Sequence, residues 1–316
     1  MKKILIYEYF TGGGMLNEEL SGEIIHEAEL IRSMIHMHGI KSKLFTTKYF
    51  IDHRISSEST HDNIVVKDST TKYDRKLLKE FDFILPIIPE ENLELFNYIK
   101  YLENNKIKCL TSNSTTIKLC SDKLYLYHYL SKNNIATPST YEKNIIATKK
   151  NKYIVKDRYG YGCSHVELFT NKNISKPLLS NKVYQDYIEG KSYSLSLYFS
   201  KNNFKLLSIN EQKFIIKKSK YKLSTLIVNI KHNHYVRIIA LIANLNRLLP
   251  GLFGYIGIDL IISGNQIYVI EINPRLTTSF AAIYRTFGIN LLDLIVENKY
   301  MKNIITGKKV HLNINA

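Results

Sequence analysis

Two acidic residues and one amide lie within apolar stretches near the end of the chain. Asp259 occupies one predicted strand, and Glu271 and Asn273 occupy the next. A charge in an apolar strand is costly unless it is paired or bound to a metal ion. Glu271 and Asn273 are two residues apart, so they project from one face, and an antiparallel partner can place Asp259 beside them. Such an oxygen cluster suits Mg²⁺, although a buried ion pair with Arg275 explains the acids equally well.

A lysine in a β-branched strand is followed by a glycine-rich segment. Lys156 lies in Tyr-Ile-Val-Lys-Asp, and the chain continues through Gly160 and Gly162 to Ser164. A lysine supplies a compact positive charge, and glycines let backbone N–H groups approach an anion, so this combination suits phosphate. A plain β-turn explains the glycines as well. Lys123, at a predicted helix start, is either a second phosphate ligand or an exposed side chain.

The elements that position these residues fall into two regions. Over residues 1–115, apolar strands alternate with helices, which is typical of a small parallel α/β lobe. From residue 116 onward the pattern changes to strands around the glycine-rich segment, a hairpin, a long helix and a final strand pair. We predict an α/β lobe at 1–115 and an α+β region at 116–316, with a lid near 124–190 and a metal-bearing lobe near 191–316.

Periodicity and turn residues define the individual elements. In the first region they predict strands over 3–9, 43–47, 81–88 and 108–110 and helices over 24–39 and 91–104. In the second region they predict helices over 123–130 and 235–249 and strands over 152–157, 165–169, 182–187, 192–199, 204–208, 255–262 and 266–272.

The composition is that of a globular protein of 316 residues, 45% hydrophobic and 23% charged. No apolar run reaches the roughly 20 residues that cross a bilayer, and Glu8 interrupts the first apolar segment. We therefore expect a cytoplasmic protein without a membrane partner, with reduced cysteines. The net charge of +16 would suit nucleic acid, but the lysines are scattered and no RNA-binding aromatic motif occurs. We expect small-molecule partners and no nucleic acid; a homodimer is compatible with the sequence.

The order of the motifs is more specific than any one of them. Lys123 comes first, Lys156 follows 33 residues later, a Gln-Asp-Tyr-Ile-Glu-Gly segment begins at Gln185, and Glu-Ile-Asn-Pro-Arg ends the series at Arg275. This succession resembles the ATP-grasp family over residues 80–300. Members of that family clamp ATP between two α+β lobes that follow an α/β lobe, so the resemblance implies the ATP-grasp fold.

The resemblance also implies roles for individual residues. Lys123 and Lys156 would contact the α and β phosphates of ATP, with Lys156 also near adenine, and Arg275 would steady the transferred phosphoryl group. Lys156 and Arg275 are thus the candidate catalytic residues. The segment 160–164 would close on the triphosphate, and the segment 185–188 would hold adenine through backbone groups.

The implied cofactors are ATP and Mg²⁺ or Mn²⁺, the metal being bound by Asp259, Glu271 and Asn273. Where the family often has a glutamate on the ribose, this chain has Ser192. Either Ser192 or Glu189 would then hold the ribose. The candidate nucleotide-binding residues are Lys123, Lys156, Gly160, Gly162, Ser164, Gln185, Asp186, Ile188, Glu189 and Ser192.

Three phrases are similar to the branch of the family that joins the γ-carboxylate of L-glutamate to tyramine during methanofuran synthesis. They are Glu-Tyr-Phe-Thr-Gly-Gly-Gly, Ile-Pro-Glu and Asn-Pro-Arg-Leu-Thr-Thr-Ser. The hydroxyls of the last phrase could hold a substrate carboxylate or cap a helix. The glycines of the first could form a tight strand–helix turn or receive the acceptor substrate at a helix N-terminus. The candidate substrate-binding residues are Gly12, Gly13, Gly14, Thr277, Thr278 and Ser279.

The implied reaction is amide formation through an acyl phosphate, which an amine attacks after losing a proton. The candidate bases by location are Glu8, Glu90 and Glu211. Two alternatives stay open: an ATP-grasp ligase with a different amino-acid or carboxylate donor, and a non-catalytic protein that binds nucleotide or nucleic acid. The second is less favoured, because binding alone would not require the acids, the amide and Arg275 together.

Overall fold

Apolar strands account for most of the architecture. The structure, a computed structural model, describes residues 1–20, 22–55, 62–142, 152–162, 166–170, 181–201, 203–217, 219–300 and 306–314. Within these ranges the strands form two sheets, one of four strands near the N-terminus and one of ten strands that includes both acidic strands. None of the helices in these ranges has the length and apolar character of a membrane-spanning segment.

The smaller sheet is parallel and carries helices on both faces. Its strands are β1 (Lys2–Glu8), β2 (Phe45–Asp52), β3 (Asn63–Val66) and β4 (Phe83–Ile87), in the order β3-β2-β1-β4. Its helices are α1 (Gly22–Lys41), α2 (Arg75–Leu78) and α3 (Glu94–Asn104). In β1, Ile4 and Ile6 share a core with α1, whereas Leu5 and Tyr7 share one with α3. Burial on both faces explains why β1 is an unbroken apolar run.

The larger sheet is antiparallel. Its strands run in the order β13-β12-β9-β10-β11-β7-β6-β8-β5, with β14 beside β11. These strands are β5 (Thr140–Tyr141), β6 (Lys152–Asp157), β7 (Glu167–Thr170), β8 (Lys182–Asp186), β9 (Lys191–Ser200), β10 (Asn203–Lys217), β11 (Lys220–Val228), β12 (Gly254–Ser263), β13 (Gln266–Asn273) and β14 (Val310–Asn313). The helices that accompany them are α4 (Ser114–Ser121), α5 (Lys123–Lys132), α6 (Tyr235–Leu248), α7 (Phe280–Phe287) and α8 (Leu291–Glu297).

Strands β9 and β12 separate an apolar face from a polar one. Leu195 and Leu197 on β9 and Ile258 on β12 pack into a core that also holds apolar residues of α5 and α6. Because strand residues alternate between faces, Ser194 on β9 and Asp259 on β12, which lie opposite each other, project to the other side. The apolar face therefore anchors the sheet and leaves the polar face for chemistry.

The predicted fold class is confirmed, with a parallel α/β sheet followed by an antiparallel α+β region. The boundary at residue 115 and the lid near 124–190 stay predictions. The elements β3, β5, β11, β14, α2, α4, α7 and α8 were not predicted. The predicted strand over 165–169 begins outside the described residues, and its observed part is β7.

Three predicted elements differ from the structure for local reasons. The strand over 108–110 is reduced to one bridge, between Cys109 and Ile84. The helix over 91–104 begins as a 3₁₀ turn, because Asn92 has a positive φ and interrupts it before α3. Helix α1 runs through Gly39 to Lys41. A Cβ at Gly39 would lie 2.9 Å from the hydroxyl of Thr47, so this glycine permits close packing on β2 instead of ending the helix.

Candidate active site

The acidic strands pair as the alternation predicts. Strands β12 and β13 are antiparallel, with Asp259 opposite Glu271 and Gly257 opposite Asn273. The amide Nδ2 of Asn273 donates a hydrogen bond to Asp259 Oδ2 at 3.1 Å. A second amide, Nε2 of Gln212 on β10, donates to Asp259 Oδ1 at 3.0 Å. Gln212 therefore belongs to the site, although the sequence did not single it out.

The two facing carboxylates create a site that favours a cation. Removal from water, and then the charge of Glu271, raise the pKa of Asp259 to about 7. Like charges held close in a poorly solvated site oppose ionisation in this way. In the described part of the chain no three His, Cys, Asp or Glu side chains are placed to hold a metal ion, so a metal ion at the two carboxylates would take a further oxygen from an amide, such as that of Asn273. Two carboxylates and an amide fit a divalent cation that keeps other oxygen ligands, as Mg²⁺ does.

Both predicted phosphate lysines are buried beside these acids. Lys123 begins α5 and is 7% exposed, so its interpretation as an exposed lysine is wrong. Its ammonium lies 3.3 Å from the Glu271 carboxylate and donates to the carbonyl of Gly160 at 2.6 Å. Lys156 on β6 is 5% exposed and is close enough to Asp259 to act against the rise of its pKa. Two buried ammonium groups and two partly buried carboxylates thus form one cluster.

The glycine-rich segment is tied to the start of α5. The guanidinium of Arg158 donates to both carboxylate oxygens of Asp122, at 2.8 and 2.7 Å, and the Tyr159 hydroxyl donates to the same carboxylate at 3.0 Å. Asp122 also caps α5 through two backbone N–H groups. A Cβ at Gly160 would lie 2.8 Å from that of Asp157, and Gly162 has φ +59°. Close packing therefore explains the glycine at position 160, and a positive φ explains the one at position 162.

The remaining predicted nucleotide residues lie at the end of β8 and the start of β9, apart from Ser164, which is outside the described residues. Gln185 is buried, and its side chain donates to the Thr140 hydroxyl at 3.0 Å, which joins β8 to β5. The backbone N–H of Asp186 donates to the carbonyl of Ser139. Ile188 and the exposed Glu189 follow β8. Ser192 has the same parity as Ser194 on β9, so it projects toward the face that carries Asp259.

Arg275 is held by an acid from the smaller sheet. Its guanidinium donates to both carboxylate oxygens of Glu90 at 2.8 to 3.0 Å, and to the carbonyl of Leu276 at 3.1 Å. Glu90 is 2% exposed on its side chain and Arg275 is 15% exposed. The alternative in which Arg275 forms an ion pair with the strand acids is therefore wrong. Arg275 pairs with Glu90, and Glu271 pairs with Lys123.

The three carboxylates considered as bases are all engaged or misplaced. Glu90 holds Arg275. Glu8 is buried and accepts from the backbone N–H and the hydroxyl of Thr11, at 2.7 and 2.6 Å, and burial raises its pKa. Glu211 precedes Gln212 on β10 and pairs with Tyr193, so it projects from the face opposite Asp259. None of these three carboxylates is therefore placed to act as the general base.

Hydroxyl groups form a buried network next to the acids. The Tyr255 hydroxyl bonds to those of Ser279 and Ser196, at 2.6 and 3.0 Å, and lies 3.3 Å from that of Thr277. Ser279 precedes α7 but makes no capping bond with its side chain. The helix-cap alternative is therefore wrong for Ser279. Of this set, Tyr255 and Ser196 were missed, although the alternating serines of Lys-Ser-Tyr-Ser-Leu-Ser are a usable signal.

Tight packing and backbone conformation explain the three consecutive glycines at positions 12–14. A Cβ at Gly12 would lie 2.4 Å from the Glu8 carbonyl, and one at Gly14 would lie 2.4 Å from the Tyr9 ring; Gly13 has φ +82°. Helix α1 begins only at residue 22. The glycines therefore form a turn, and the expectation of a helix N-terminus directly beside them is wrong.

A parallel α/β sheet followed by a large antiparallel sheet that carries paired acids, an amide and a lysine is the arrangement expected of an ATP-dependent ligase. Residues 120–279 match the family described as the ATP-grasp domain. The chain belongs to the ATP-grasp family, among its carboxylate–amine ligases.

Relatives are similar over nearly the whole length. A tyramine–L-glutamate ligase of Methanocaldococcus fervens is 28% identical, over 98% of this chain and 99% of the relative. One from Methanocaldococcus jannaschii is 27% identical, over 97% and 93%. Among solved structures, an ATP-grasp superfamily protein from Archaeoglobus fulgidus superposes with a TM-score of 0.76 at 26% identity, covering 99% of this chain and 92% of the other.

Proposed function

We propose that the protein joins the γ-carboxylate of L-glutamate to tyramine, using ATP and Mg²⁺ or Mn²⁺ and releasing ADP and phosphate. The observation that carries an ATP-dependent function is the convergence of Asp259, Glu271 and Asn273 with the buried Lys123 and Lys156 in one cluster. The identity of the substrates rests on the two named ligases, to which the chain is similar almost end to end.

In this proposal the lysines and the segment 160–164 hold the phosphates. The ammonium groups of Lys123 and Lys156 offset phosphate charge in poorly solvated surroundings, where charge-assisted contacts are strong. Asp259, Glu271 and Asn273 would hold the metal, which when bound would neutralise charge on the phosphates. Backbone groups of the segment 185–188 would bind adenine, and Ser192 or Glu189 would bind the ribose.

Catalysis then depends on the group that stabilises the phosphoryl transfer. ATP phosphorylates the glutamate γ-carboxylate, and the amine displaces phosphate from the acyl phosphate. Arg275 would stabilise the transferred group because Glu90 fixes its guanidinium before the reaction begins, which is how preorganised charges lower barriers. The hydroxyl of Thr277, two residues after Arg275, would contact the glutamate carboxylate, whereas the hydroxyl of Thr278 donates to Glu27.

The test is ADP release with glutamate and a panel of amines, with product identified by mass spectrometry. We expect turnover to require glutamate and tyramine and to give γ-glutamyltyramine. A site that bonds the phenol hydroxyl should reject phenethylamine strongly, because its own polar groups would be left unpaired. Faster turnover with aspartate, lysine or alanine than with glutamate would overturn the substrate assignment and leave the family unchanged.

A further inference from the structure

The proposed reaction needs a group that takes a proton from the amine, and the carboxylates of Glu8, Glu90 and Glu211 are engaged or misplaced. Resting on the proposed function, we infer that Glu27 of α1 anchors the acceptor amine and accepts its proton. Glu27 lies in the second turn of the helix and is partly exposed to solvent. It is therefore a carboxylate of the smaller lobe that a substrate can reach.

A hydrogen bond to Thr278 directs Glu27 toward the reacting groups. The Thr278 hydroxyl donates to Glu27 Oε1, across 251 residues of sequence. Thr278 follows Arg275 by three residues, so this bond places Glu27 beside the segment that would carry the acyl phosphate. A carboxylate has several acceptor positions on its two oxygens, and one donor leaves capacity for an ammonium group.

The electrostatic environment of Arg275 agrees with this placement. Its guanidinium interacts with three acids, in decreasing order Glu90, Glu271 and Glu27. Glu90 holds the guanidinium and Glu271 belongs to the proposed metal site, so they serve the phosphoryl group. Glu27 is the member of this set that neither role uses. Glu27 is close enough to Arg275 to interact with it electrostatically.

An aromatic surface lies within reach of the same carboxylate. Tyr161, in the glycine-rich segment, packs against Phe10 of the N-terminal turn, with ring centroids 5.4 Å apart. Burial raises the pKa of Tyr161 to about 12, and Glu91 and Glu27 add to the shift. A primary amine that carries an aromatic ring could place its ammonium group at Glu27 and its ring near this pair.

The step balances without a further reagent. The Glu27 carboxylate takes one proton from the ammonium group, and the freed lone pair forms the C–N bond at the acyl carbon. The C–O bond to phosphate breaks, and its electron pair leaves on the phosphate. The departing phosphate takes up a second proton from the nitrogen, which leaves the neutral amide. Glu27 then returns its proton to solvent.

Two acceptors separate this role from a structural one. Hydroxylamine is largely unprotonated at neutral pH and traps an acyl phosphate as a hydroxamate, whereas tyramine must first lose a proton. With the full chain, ATP, Mg²⁺ and glutamate, we expect Glu27→Gln to lower tyramine turnover by about 100-fold or more, the usual contribution of a general base. The rate of hydroxamate formation should stay close to that of the unsubstituted protein. Glu29→Gln is the matched control, since Glu29 pairs with Arg32 on the same helix, and should leave both acceptors unaffected.

Every outcome of this experiment is decisive. Tyramine turnover retained in Glu27→Gln would overturn the inference, and so would an equal loss with hydroxylamine, which would mean that Glu27 shapes the site. Should Glu27→Gln fold poorly, Thr278→Val provides the second variant, and we expect it to reduce tyramine turnover more than hydroxamate formation. Absence of both products from the unsubstituted protein would remove the proposed function itself, and is distinguishable from the other results.

Discussion

The strand pair β12–β13 and the glycine turn of the N-terminal lobe were both predicted from the sequence to bind ligands, yet different constraints explain their residues. At the strand pair, Asp259 and Glu271 face each other at a cost, since the charge of Glu271 opposes the ionisation of Asp259. In the turn, Gly12 and Gly14 are explained by neighbouring atoms that leave no room for a side chain. The first arrangement is unfavourable for folding alone, which supports the proposed metal site, whereas the second is what folding requires.

An ion pair connects the smaller sheet to the larger one and should give the largest effect on stability. Glu90 follows β4 of the smaller sheet, and Arg275 follows β13 of the larger one. Glu90→Ala would leave a mostly buried guanidinium without its partner, which typically costs about 3–5 kcal/mol. We expect chemical denaturation to show that loss of unfolding free energy, with activity falling as well. A loss below about 1 kcal/mol, the range of exposed pairs, would contradict the buried linkage.

On the side of the strand pair, Lys156→Met should weaken nucleotide binding and leave packing intact. Methionine fills a similar volume on β6 but removes the charge. A charge-assisted contact contributes about 1.5–3 kcal/mol, so ATP affinity should fall about ten- to a hundred-fold. Calorimetry gives the affinity. Unchanged ATP binding would make Lys156 a partner of the acids only. Lys152→Met, at the exposed start of the same strand, is the matched control.

On the side of the turn, Gly12→Ala should reduce stability and leave nucleotide affinity unchanged. The new Cβ would meet the Glu8 carbonyl, so the backbone must shift, at a cost of about 1–3 kcal/mol. Gly22→Ala is the control, because a Cβ at Gly22 meets nothing within 4 Å, at the first residue of α1. We expect that change to be neutral or stabilising by up to about 1 kcal/mol. Thermal unfolding of both variants measures the difference, and equal effects would contradict the packing account.

The same contrast explains how far the sequence could predict the site. Asp259, Glu271 and Asn273 were predictable because alternation within a strand and a short turn between neighbouring strands are local properties. Gln212 reaches Asp259 from β10, and its contribution depends on the order of strands in the sheet. That order is set by the packing of distant segments and leaves no local periodicity.

Side chains that contact each other from different lobes could not be predicted, for a similar reason. Arg275 and Glu90 are separated by 185 residues, and Thr278 and Glu27 by 251. Alternation shows the face from which a side chain projects, but it does not show what the other lobe brings to that face. The sequence therefore offered only the nearby strand acids as partners for Arg275, whereas the structure pairs it with Glu90.

The central claim is that the facing carboxylates of β12 and β13 form the metal and nucleotide centre. Glu271→Gln tests it most directly, since glutamine keeps the size of the side chain and an oxygen for Lys123 but loses the charge that a metal ion requires. We predict that ADP formation with glutamate and tyramine is nearly abolished, while the unfolding curve shows that the protein remains folded. Turnover close to normal in a folded Glu271→Gln protein would contradict the account.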